Sequence, residues 1–94
     1  MSLETKRDYL QGALSGRDFL RRTQAGLRLH RQFEPKTLRW EYQLHIQDKP
    51  AEYQAGFLDA IGAYMLTTLE GVLVDLYRWE ILRVLESADQ QKQK

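Results

Sequence analysis

From Leu38 to Ile46 every even position is apolar (Leu38, Trp40, Tyr42, Leu44, Ile46) and every odd position is polar. A period of two marks a strand with one buried face, and no single face of a helix collects all five residues. A similar run precedes it. Leu27, Leu29 and Phe33 alternate with Arg28, His30 and Gln32, and only Arg31 interrupts the apolar row. Between the runs, Glu34-Pro35-Lys36-Thr37 reads as a turn with proline at its first central position. Folding about that turn sets Phe33 by Leu38, Leu29 by Tyr42 and Leu27 by Leu44, and lays Arg31 over Trp40. The opposite face then carries Arg28, His30, Gln32, Arg39 and Glu41. The pattern predicts a β-hairpin over about residues 26–47.

On either side of this stretch the period is helical. A first helix is expected over about residues 3–25, with Ser2 as cap, Arg21 and Arg22 in its last turn and Gly26 just beyond. Gly12 and Gly16 each cost about 1 kcal/mol against alanine, so the stretch around them has room for a kink or a short break. Asp48 and Pro50 open a second helix, expected to run from about 49 to 86 with a bend allowed at Gly71. It carries a heptad-like seam of Leu58, Gly62, Met65, Leu69, Val72, Leu76 and Trp79. Phe57, Ile61, Tyr64 and Leu82 lie close beside that seam. A helix apolar on most sides has to be covered on most sides, and one short helix and one ribbon are too little cover.

These elements predict one α+β domain over residues 1–86, in the order helix, hairpin, long helix, followed by a disordered polar tail over 87–94. A lone hairpin is marginal and has open edges. A homodimer is therefore expected, with Leu58, Met65, Leu69, Val72, Leu76 and Trp79 between the subunits. An all-α helical hairpin or bundle is the alternative fold. It requires the alternation at 38–46 to carry no strand.

Composition narrows the chemistry. The 94 residues suit a single small domain, with 43% hydrophobic and 29% charged positions. Cysteine is absent, which excludes disulfides, thiolate nucleophiles and cysteine-ligated metals. The apolar stretch from Phe57 to Val74 contains Asp59 and Glu70, so it reads as a buried helix and not a membrane span. Without a secretory pattern at the N-terminus, the expected location is the cytoplasm.

His30 and His45 are the only histidines, and they lack metal-ligand spacing. Asp59 and Glu70 lie eleven residues apart on one helix, about 16 Å along its axis, too far for a paired-carboxylate site. No phosphate-binding glycine loop is present. The expectation is a protein that is not an enzyme and uses no cofactor or metal.

Charge is the more suggestive feature. The net value is only +1, yet cations crowd residues 17–39 while acids dominate from Asp48 onward. Arg17, Arg21, Arg22, Arg28, His30, Arg39 and Glu41 form the expected partner surface. The main expectation is a small interaction protein, an adaptor, regulator or inhibitor, docking on an unidentified protein through that surface. The alternative is a nucleic-acid-binding regulator using the same arginine-rich region.

Overall fold

The computed structural model of the chain describes residues 3–29 and 34–92, with side chains described as far as Glu86. The described residues form four helices: α1 (Leu3–Arg28), α2 (Pro35–Ile46), α3 (Ala51–Leu69) and α4 (Ile81–Lys92). No strand occurs among the described residues. The expected α+β hairpin fold is therefore corrected to the all-helical alternative.

The correction centres on α2, which occupies the alternating stretch. Pro35 does not make a hairpin turn. It opens the helix, where its missing N–H costs nothing and its fixed φ already fits. No glycine follows until Gly56, and Leu, Arg, Glu and Gln supply good helix propensity. The helix divides the even-numbered residues between two sides. Leu38, Tyr42 and Ile46, joined by His45, turn inward and are half-buried, whereas Trp40 and Leu44 turn outward at 61% and 53% exposure. Local backbone preference thus outweighs the period-two pattern, and exposed apolar surface is the cost. Residues 30–33, which include the Arg31 expected over Trp40 and the Phe33 expected beside Leu38, lie outside the described residues.

α1 runs without a break through Gly12 and Gly16, which serve packing. α1 and α3 lie side by side in the same direction, Gly12 against Tyr53 and Gly16 against Phe57 and Ala60. A methyl group on Gly12 would collide with the Tyr53 carbonyl, and one on Gly56 with the Tyr9 carbonyl. Small residues four apart on both helices let the two backbones touch. The helical propensity lost at the glycines is recovered as close contact.

The expected long helix over 49–86 is two helices. Its start lies at Ala51, with Pro50 as the cap residue, while Asp48 adopts the left-handed conformation at φ 61°. At the other end Gly71 has φ 93°. Its N–H bonds the Thr68 carbonyl at 3.0 Å, and the Val72 N–H bonds the Thr67 carbonyl at 3.2 Å. That crossed pair of bonds is the Schellman stop, which a residue able to turn left-handed makes possible. The chain then returns irregularly to α4, whose backbone continues to Lys92 through most of the stretch expected as a tail.

The core is thin. Ala13, Ala60 and Ile81 form its centre, with Leu14, Ala63, Trp79 and Leu85 packed around them. Beside it Phe57 is the hub of an aromatic group: Phe19, Tyr42 and His45 all stand with ring centroids within 5.8 Å of it. Tyr42 and His45 are what fastens α2 to the rest.

Candidate functional site

α2 presents its outer side as a built surface. Lys36, Arg39, Trp40 and Gln43 follow one another at helical spacing, and all are exposed. Neither Lys36 nor Arg39 meets a carboxylate within ion-pair distance among the described residues. Arg22 of α1 is exposed, and its charge reaches His45 on the inner side of α2. Arg28 in the last turn of α1 is also exposed.

The His45 ring is stacked on Phe57 and edge-on to Phe19. Burial, first, and the Arg22 charge, second, hold its pKa below the ordinary 6.5, and Glu41 partly opposes them. The imidazole therefore acts as a neutral packing ring. His45 belongs to the core side of α2 and not to a polar ribbon face.

Arg17 and Arg21 are engaged inside the fold. Arg17 bonds Asp18 at 3.2 Å. The Arg21 Nε donates to the Leu76 carbonyl at 2.7 Å, and its guanidinium lies 5.2 Å from the centre of the Tyr77 ring. Arg21 thereby ties the return segment before α4 to α1. A shallow groove of about 450 Å³ opens beside it, lined in part by Arg17, Tyr77, Arg78, Trp79 and Arg83. Its cations are neutralised locally: Arg78 pairs with Asp75 at 3.8 Å and Arg83 with Glu80 at 3.1 Å. Such a groove has little field left for an anion.

The remaining expected partner residues fall as follows. Arg22, Arg28 and Arg39 are on the surface, Glu41 is half-buried on α2, and His30 lies outside the described residues. Of the residues expected between subunits, Leu58, Met65, Leu69 and Val72 are exposed at 48%, 54%, 78% and 53%. Leu76 is buried at 1%, and Trp79 is half-buried edge-on to Tyr64. Leu76 is thus committed to the core of the single chain, which already covers it.

Sequence reasoning missed the exposure of Trp40, the surface's central aromatic. It also passed over Leu73, which stands open at 98% just beyond α3. The helical starting signal of Pro35 was the clue to the first. Among the described residues no helix is long and apolar enough to cross a membrane, and no three of His, Cys, Asp and Glu gather at metal-ligand distance. No family model matches the chain, and comparison with curated proteins and with solved structures finds none similar to it. Its class is that of a small all-helical protein with two exposed surfaces, one cationic and aromatic, the other apolar.

Proposed function

We propose that the protein is a cytoplasmic nucleic-acid-binding regulator that acts by binding and not by catalysis, and that it works as a homodimer. The observation that carries this reading is Trp40: an indole 61% exposed on the same outer side as Lys36 and Arg39, cations without a carboxylate partner among the described residues. Had the alternating residues formed a hairpin, that ring would face the core. On a helix it faces outward, where a base can stack on it while the cations meet phosphates. An indole on a convex helix reaches the face of a base only where the base is unpaired, so the substrate class is single-stranded nucleic acid or a loop. The small net charge of +1 favours a short site over a long tract.

The test is fluorescence anisotropy of labelled single-stranded oligonucleotides and of matched duplexes, titrated with protein over a salt series. The expected result is binding to the single strand with log affinity falling linearly in log salt, the slope about −3 for four phosphates. No binding at low salt overturns the reading. It would leave the α2 surface for an acidic protein partner.

A further inference from the structure

The outer side of α3 is bare. Leu58, Gly62, Met65 and Leu69 alternate in steps of four and three, so they form one straight seam, with Ile61 and Leu66 on its margins. The residues that face α1, among them Gly56, Phe57 and Ala60, lie on the opposite side of the same helix. Nothing stands within 4 Å of the position a Cβ would take on Gly62. The molecule measures 42 × 33 × 19 Å. Its shortest dimension is two helix thicknesses, so no third layer covers α3.

Surface area says how much cover is missing. A compact monomer of 11.1 kDa exposes about 5,700 Å². This chain exposes 7333 Å². The excess, about 1,600 Å² on one chain, is more than enough to supply the about 800 Å² that each partner contributes to a standard interface. The seam carries no charge along its length, which disfavours a polar partner and suits a like surface.

We infer that two copies of the chain pair through the outer side of α3, antiparallel, with Leu58 against the partner's Leu69 and Gly62 against the partner's Met65. The register follows from the seam itself. About a two-fold axis between residues 63 and 64, Leu58 and Leu69 exchange places, as do Gly62 and Met65, and Ile61 and Leu66. Each large methionine then fills the gap left by a glycine. A parallel pair would instead set glycine on glycine and methionine on methionine, leaving a void in one layer and a crowd in the next. This inference rests on the dimeric part of the reading above and is independent of its nucleic-acid part.

The experiment uses the full chain without nucleic acid. Light scattering from about 1 to about 100 µM reads the association of the unaltered protein. Gly62→Met, placed in open space on the single chain, is expected to keep the helical circular dichroism and weaken dimerisation at least about tenfold. Because cysteine is absent, single-cysteine chains report register directly. Mixed Leu58→Cys and Leu69→Cys chains, oxidised together, are expected to cross-link to each other, and neither to itself. A monomer at the top concentration overturns the pairing. Self-linked Leu58→Cys chains overturn the antiparallel register, and undiminished association of Gly62→Met overturns the seam. A protein that dimerises but ignores oligonucleotides fails only the nucleic-acid reading.

Discussion

At the scale of single residues, two side chains on α2 have opposite duties. Trp40 contributes little to the fold, because most of its ring is already in water. Trp40→Ala should change stability by less than about 1 kcal/mol. The same change should weaken single-strand binding by the about 1–3 kcal/mol of one lost stack. Denaturant melts and anisotropy on one preparation separate the effects, and Trp40→Phe should restore most of the binding. His45 is the converse. Its pKa is lowered in the native state by burial and then by Arg22, so the unfolded chain takes up the proton more readily. Its stabilising contribution is complete above the ordinary value of 6.5 and is lost as pH falls through the native pKa. Thermal melts between about pH 7.5 and 5.5 should show the midpoint falling on acidification. His45→Phe, which keeps a ring on Phe57, should flatten that slope.

At the scale of elements, the glycines separate packing from propensity. Gly12→Ala gains about 1 kcal/mol of helix propensity, but its methyl meets the Tyr53 backbone, which cannot step aside. Overpacking against backbone should dominate, for a net loss of about 1–3 kcal/mol. Gly62→Ala meets nothing, so in chains diluted to monomers it should gain up to about 1 kcal/mol. Urea denaturation of the pair checks both signs. The start of α1 and the start of α3 near residue 50 were legible in the sequence, since the apolar period and Pro50 mark them locally, whereas the stop expected at Gly26 is overturned: α1 continues through it to Arg28, and Gly26 is buried there. The small residues Gly56 and Ala60, four apart, mark the side of α3 that α1 approaches closely. The stop at Gly71 was legible only as a bend, because the Schellman bonds depend on how the chain beyond it returns. The α2 stretch misled for a definable reason. Its alternation is real, but alternation reports a strand only where a second strand pairs with it, and here no strand is present among the described residues.

At the scale of the whole molecule, the balance between core and surface is unusual. Phe57, Leu76 and Ile81 are the largest fully buried side chains, while Leu66, Leu69 and Leu73 stand mostly in solvent. So thin a core is expected to hold the single chain near the low end of domain stability, about 5 kcal/mol. Association that buries the α3 seam should therefore show in its stability. The midpoint of thermal unfolding should rise with protein concentration, and that rise should vanish in Gly62→Met. A concentration-independent midpoint would mean that the thin core suffices alone.

The sequence by itself determined where α1 and α3 begin, which residues carry charge, that no cysteine chemistry is available, and that α3 bears more apolar surface than one chain covers. These follow from local propensity and composition, which act on each segment without reference to the others. Only the tertiary structure decided that Pro35 opens a helix, that Trp40 faces outward while Tyr42 and His45 face Phe57, and that Arg21 is consumed by the Leu76 carbonyl while Arg22, Arg28 and Arg39 stay on the surface. Those outcomes depend on which neighbour arrives at each face. Packing, which no segment contains by itself, assigned every ring and every guanidinium its side.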